Sequence, residues 1–270
     1  MPAINPTKQL FSNESLRFGP YGRFRDRYEL AEFFLKPPAL ITAWDNLTDP
    51  HTVGESEVIM VSNPDWMLFG EGSLSVEQVL SVDGGFLLDT NGDDNDIAGI
   101  FPRGTINSVV STAWARLTLE PQHESRVQWI FEIPSIANIT IQMGLGLTGL
   151  LELGGASQID ADYAKLQFSS EGAVSTTLWT AMEGIAGTDT EVVTSSSVVA
   201  IDETINLEIR YSSTSFARFY INGVKVYTAL AAHTAAAALH PVAAVMALTA
   251  AGTKNLLVRQ VRVSRVWQDG

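Results

Sequence analysis

The chain contains no cysteine. That single absence removes disulfides, thiolate zinc sites and cysteine nucleophiles together. Histidine is scarce: His51, His123, His233 and His240 are the only four, and they show neither an H-E-x-x-H spacing nor close pairing with one another. Cations are outnumbered, 17 Lys and Arg against 30 Asp and Glu, giving a formal net charge of −13. Nucleic acid is therefore not expected as a partner, because phosphate recognition needs clustered Lys and Arg. Long apolar runs are missing as well. The Ala-rich stretch near residue 235 is broken by His233, His240 and Pro241, so no membrane partner is expected. The first twenty residues lack a basic start followed by an apolar run, and synthesis without export by a cleaved signal is the expectation.

Catalytic patterns are equally thin. No phosphate-binding G-x-x-x-x-G-K-[ST] loop occurs, and Ser195–Ser197 lies in a Thr/Ser-rich stretch without a nucleophile elbow. Glucanases built on sandwiches alternate acidic residues along one strand, as in E-x-D-x-x-E, so that paired carboxylates flank the glycosidic bond. That run is absent; the nearest groupings, Asp160/Asp162 and Asp202/Glu203, fall in predicted turns. The expectation is a protein that is not an enzyme.

What is present is core material, 46% hydrophobic and 17% charged, arranged with a period of two. In Arg126–Ile133, Val127, Trp129, Phe131 and Ile133 point one way and Arg126, Gln128 and Glu132 the other. Residues 139–147 alternate Ile139, Ile141, Met143, Leu145 and Leu147 with Thr140, Gln142, Gly144 and Gly146. Ile205, Leu207, Ile209 and Tyr211 form a third apolar face. Each pattern predicts a strand with one face on a core. Asn222-Gly223 predicts a two-residue type I′ hairpin, in which Ile221 faces Val224, Tyr220 faces Lys225, Phe219 faces Val226 and Arg218 faces Tyr227. Joined to residues 204–211 this makes a three-strand meander, and Leu256–Trp267 supplies a closing strand. Many short strands with Gly, Asn and Ser turns and no sustained helical period predict an all-β, two-sheet antiparallel sandwich.

The first fifty residues read differently. Up to Leu40 they carry Lys8, Arg17, Arg23, Arg25, Arg27 and Lys36 against Glu14, Asp26, Glu29 and Glu32, with seven aromatics interleaved. The period fits neither strand nor helix, apart from a short helical pattern over Arg27–Leu35 that Pro37-Pro38 would end. The expected organisation is an extended N-terminal arm, 1–52, and a sandwich domain, 53–270. The arm is either a strap packed on its own domain or a segment whose Phe18, Tyr21, Arg23, Phe24, Arg25 and Arg27 dock on a partner, since Arg and aromatics favour interfaces.

Two further features are candidates for binding. Asp89, Asp93, Asp94 and Asp96 place four carboxylates in an eight-residue stretch with Asn91 and Asn95, a set of hard oxygens that could ligate calcium. The EF-hand register fails, because Asp94 stands in place of the glycine and Ile100 in place of the bidentate Glu. The pattern favours an Asx-rich strand connection, so no cofactor is required. Among the six tryptophans, Trp129 reads as core, whereas Trp179 lies in the polar stretch 176–180 and is the better candidate for an exposed glycan-stacking platform.

Taken together, Gly85-Phe86-Leu87-Leu88 with the following Asp/Asn loop, the strand bearing Trp129 and Phe131, the stretch Gly144-Leu145-Gly146-Leu147-Thr148, the hairpin at Asn222-Gly223 and the terminal strand resemble the concanavalin A-like (laminin G-type) jelly-roll domains of tailed-bacteriophage virion structural proteins. The resemblance spans residues 53–268 and leaves the arm unexplained. It implies a jelly-roll sandwich in a virion, as a capsid decoration, cement or minor capsid protein anchored by its arm to the major capsid protein. Such proteins commonly follow capsid symmetry, so a homo-oligomer is expected. The alternative is a carbohydrate-binding module of a tail or fibre protein.

Overall fold

The computed structural model describes residues 27–34, 58–59, 66–71, 75–78, 85–90, 97–102, 118–146, 162–171, 174–248, 252 and 254–266. In chain order the strands are β1 (Arg27–Glu32), β2 (Val58–Ile59), β3 (Trp66–Glu71), β4 (Ser75–Gln78), β5 (Phe86–Asp89) and β6 (Ile97–Pro102). They continue with β7 (Arg126–Glu132), β8 (Ile139–Gly146), β9 (Tyr163–Ser169), β10 (Leu178–Ile185) and β11 (Thr188–Val198). The last five are β12 (Ile205–Tyr211), β13 (Ala217–Ile221), β14 (Val224–Thr228), β15 (His240–Ala247) and β16 (Asn255–Val266). A 3₁₀ turn at Pro121–His123 is the sole helical element among the described residues.

The strands form two eight-stranded antiparallel sheets. Sheet I runs β14-β13-β12-β7-β16-β5-β4, with β1 also paired to β16; sheet II runs β11-β10-β9-β8-β15-β6-β3-β2. The architecture is the expected all-β jelly-roll sandwich. Its core lies between the sheets, where Val127, Trp129 and Phe131 of β7 and Ile205, Leu207 and Ile209 of β12 meet Ile139, Ile141, Met143 and Leu145 of β8. Removing each such side chain from water contributes about 1.5–3 kcal/mol, which is why the period-two pattern dictates the layers.

One irregularity re-aims a strand. The inward residues of β16 are Leu256 and Val258, then Val261 and Val263, so the parity changes midway. A register shift between Val258 and Gln260 absorbs the extra residue. Without such a bulge half the strand would turn its apolar side chains to water.

The hairpin forms as expected at its tip. Asn222 and Gly223 have φ of 49° and 80°, and Ile221 pairs with Val224 and Tyr220 with Lys225. The outer register differs: Phe219 pairs with Tyr227 and Arg218 with Thr228, across a shift between Phe219 and Tyr220. The consequence is that Tyr227 packs on Phe219, ring centroids 5.6 Å apart, and turns its hydroxyl toward sheet II.

The expected short helix over Arg27–Leu35 is instead strand β1, with Arg27 opposite Val266 and Glu32 opposite Val261. Pairing with β16 satisfies the backbone groups along the edge that faces it, and Leu30 points into the core. Phe34 then turns the chain at φ 49° and is fully buried, its ring 5.4 Å from Trp66 and 4.7 Å from Phe86. Its carbonyl accepts the Gly85 N–H at 3.2 Å, joining β1 end to end with β5 along β16. Residues 27–34 are therefore a strap on their own sheet, on the N-terminal side of the expected boundary at residue 52.

Candidate functional site: the outer face of sheet II

On β8, Thr140 and Gln142 face away from the core, as the alternation requires, yet both are buried, with 2% and 0% exposure. The same holds for Lys165 and Ser169 on β9, Thr180 and Met182 on β10, and Val242, Ala244 and Met246 on β15. The strand register lays these residues out in rows. One row reads His240, Gly146, Tyr163, Gly184 and Asp189; the next reads Val242, Gly144, Lys165, Met182 and Glu191; the third holds Ala244, Gln142, Gln167 and Thr180. An open sheet face would leave such polar groups solvated; this one shelters them.

Sheltered polar atoms need partners. Thr140 Oγ1 lies 2.8 Å from Ser169 Oγ, and the Gln142 amide nitrogen donates to Gln167 Oε1 at 2.5 Å and toward Met182 Sδ at 3.8 Å. Tyr163 lies across Gly184, where an added Cβ would meet the ring at 2.3 Å, and its hydroxyl donates to Asp189 Oδ1 at 3.0 Å. The Lys165 ammonium stands 4.7 Å from the centre of the Tyr163 ring. Two atoms on this face have no hydrogen-bond partner among the described residues: Gln142 Oε1 and His240 Nδ1. Burial pushes the His240 imidazole down to about 4, so it is neutral at physiological pH and presents one donor and one acceptor nitrogen.

A second polar group lies inside the sandwich, at the end where β10 approaches β14. Tyr227 Oη donates to Glu183 Oε1 at 3.1 Å, Glu183 Oε2 stands 3.6 Å from His233 Nε2, and His233 Nδ1 is 3.4 Å from Tyr211 Oη. Burial, with Asp162 and Glu183 nearby, holds the Tyr211 phenol well above its ordinary value; burial and Glu183 push Tyr227 up to about 12. Asp162 accepts the Thr234 N–H at 3.3 Å, pinning the β14–β15 connection beside this group.

The candidates read from sequence fare differently. Trp179 is not an exposed platform. It is 1% exposed in the core, edge-on to Phe131 at 5.8 Å and Phe168 at 6.2 Å, because β10 turns its odd positions inward. Asp89 ends β5 opposite Ser75 and Asn255, whereas Asp93, Asp94 and Asp96 lie outside the described residues. No group of three or more potential metal ligands occurs among the described residues. Phe18, Tyr21, Arg23, Phe24 and Arg25 also lie outside them; Arg27 opens β1. The sheltered face escaped sequence reading because alternation marks Gln142 and Lys165 as outward, and outward ordinarily means solvated.

No protein-family model matches the sequence, and no curated protein matches it. Solved structures do. A protein of unknown function from Shewanella oneidensis MR-1 is 11% identical, with a TM-score of 0.52 over 99% of this chain and 98% of that one. The Emp47p carbohydrate recognition domain is 6% identical, with a TM-score of 0.51 over 83% and 97%. LamAcat from Zobellia galactanivorans is 8% identical, with a TM-score of 0.51 over 87% and 96%. What the chain shares with these proteins is the fold, a concanavalin A-like jelly-roll sandwich.

Proposed function

We propose that the chain is a non-catalytic carbohydrate-binding module that holds an oligosaccharide on the outer face of sheet II. The observation that carries this reading is the polar character of one face, where Gln142 Oε1 and His240 Nδ1 are sheltered and unpartnered and the same rows run out to the exposed carboxylates of Asp189 and Glu191 on β11. A buried acceptor left unpaired costs about 1–3 kcal/mol, and sugar hydroxyls are donors suited to relieve it. Gln142 pairs opposite Ala244, four residues along β15 from His240. At about 3.3 Å per residue that separation is about 13 Å, which suits several sugar units better than one. Tyr163 and Lys165 lie in the rows that span it. The fold shared with the Emp47p carbohydrate recognition domain supports the reading.

Attachment to a virion rests on residues of the arm outside the described set and on the sequence resemblance, and the sandwich itself supports glycan binding better. The test is a glycan array followed by calorimetry on the full chain. Wild type binds a defined oligosaccharide and leaves it uncleaved, while Gln142→Leu weakens binding at least tenfold with an unchanged melting temperature. Cleavage of the bound oligosaccharide would replace the module with an enzyme, and unaltered affinity in Gln142→Leu would move the site off this face.

A further inference from the structure

The outer face of sheet I carries a charge pattern at odds with the rest of this acidic chain. In the register of β13, β12 and β7, Arg218 pairs with Arg210 and Arg210 with Arg126, so three arginines stand side by side in one cross-strand row. The adjoining row holds Lys225, Tyr220, Glu208 and Gln128. Like charges directly opposite on a sheet are destabilising, so such a row persists only with compensation. Glu208 supplies part of it. It is 4% exposed and pairs with both Arg126 and Arg210, and that contact raises the affinity of Arg210 for its proton. Arg210 also lies over the Tyr220 ring at 4.3 Å. One carboxylate against two guanidiniums leaves an excess, and Arg218 and Lys225 are exposed with no ion pair among the described residues. The Arg126 and Arg210 side chains remain 35% and 44% exposed.

We propose that Arg126, Arg210 and Arg218 form a docking row for a carboxylate-bearing polysaccharide, a polyuronate. Guanidinium forks match planar carboxylates in a bidentate way, as Arg210 already shows with both oxygens of Glu208, while Arg218 has no ion pair among the described residues. Each strand-to-strand step is about 4.8 Å, close to the length of one pyranose unit, so successive arginines meet successive uronates. The two rows present guanidinium, ammonium, amide and phenol groups around the buried Glu208 carboxylate, a set of hydrogen-bond donors and cations suited to a sugar acid. Duplex nucleic acid carries about one charge per 1.7 Å and is repelled more strongly by a chain of net charge −13 than a polymer with one charge per sugar. This row is on the sheet opposite to the oligosaccharide face and stands independently of it.

The experiment titrates the full chain with oligogalacturonate at low and at physiological salt. Arg218→Ala and Lys225→Ala are the informative variants, since neither residue neutralises Glu208. The expected result is binding by wild type that weakens several-fold as salt rises, and at least a tenfold loss in Arg218→Ala and Lys225→Ala with unchanged melting temperatures. Gln142→Leu binds oligogalacturonate like wild type. The proposal is overturned if wild type ignores oligogalacturonate, if both variants bind it normally, or if a thymidine oligonucleotide or an oligoglutamate peptide binds equally well. Failure here with intact binding of a neutral oligosaccharide refutes this row and leaves the sheet II reading standing.

Discussion

Replacing Phe34 by Ala is expected to destabilise the whole sandwich, although the residue lies in what the sequence presents as an N-terminal arm. Phe34 is fully buried between Trp66 of sheet II and Phe86 of sheet I, and its carbonyl closes the junction of β1 with β5. Truncating a buried Phe removes the transfer term and leaves a cavity, together about 3–5 kcal/mol. A domain of this size loses about 2–4 °C of melting temperature per kcal/mol, so the transition should fall by about 10 °C. Deleting residues 1–34 should cost more, because Leu30 and the six-residue pairing with β16 go too. Urea denaturation followed by tryptophan fluorescence measures both, since Trp66 reports directly on the Phe34 contact. The denaturant slope should stay constant for Phe34→Ala, the mark of lost stability without a changed unfolded state. A cost below about 1 kcal/mol, or a 1–34 deletion as stable as the full chain, would refute the strap and return these residues to the role of a detachable arm.

Acid should destabilise the fold through His240. Its folded value of about 4 lies below the ordinary 6.5, so the unfolded chain binds the extra proton between these limits. Stability therefore rises from pH 4 to pH 6.5 and is flat above, an effect of about 3 kcal/mol at most. His240→Gln should flatten that part of the pH–stability curve relative to wild type, and an unchanged slope would show that the imidazole is not shielded. In the interior, Glu183→Leu, His233→Phe and the double variant form a cycle whose coupling energy should reach about 0.5–3 kcal/mol. Additive losses would mean that the 3.6 Å approach of Glu183 and His233 carries no interaction.

Sequence legibility followed the physics of alternation. Val127, Trp129 and Phe131, or Ile205, Leu207 and Ile209, announce their strands because one face must leave water while the other stays in it. The Asn222-Gly223 turn was legible because only a few residues accept two successive positive φ values. The bulge on β14 was not, because nothing local distinguishes Val226 from Tyr227 as the partner of Phe219. The choice is made at long range, by the bond from the Tyr227 hydroxyl to Glu183 on the other sheet. Strand β1 was hidden for a similar reason. Its pairing partner lies more than 200 residues along the chain, as in Arg27 with Val266 and Glu32 with Val261, and a six-residue strand among charges and aromatics has too short a period to declare itself. Trp179 misled because composition around it is polar, whereas burial depends on parity within β10. The sheltered face of sheet II and the arginine row of sheet I depend on register between strands far apart in the chain, which a period within one strand does not encode.

The two sheets differ in what their outer faces offer, and the interior explains how they can. Apolar packing fills the space between them but is non-directional, so it does not by itself fix how one sheet sits on the other. Hydrogen bonds do. The Tyr227 hydroxyl of sheet I donates directly to Glu183 of sheet II, and His233, which the β14–β15 connection delivers, stands 3.4 Å from the Tyr211 hydroxyl and 3.6 Å from the second Glu183 oxygen. That connection is itself tied down, by His233 N–H to the Ser215 carbonyl at 2.9 Å and by Thr234 N–H to Asp162. Asp162 immediately precedes Tyr163, and His240 begins β15 where the connection ends. The residues that open the sheltered rows of sheet II are thus tethered to the polar group that locks the sheets. Glu208, two residues before Arg210 and three before Tyr211, gathers the arginine row on the opposite surface. Loosening the interior group should therefore disturb the Tyr163–His240 row before the rest of the sandwich, because those residues share its anchors and the apolar core does not depend on them.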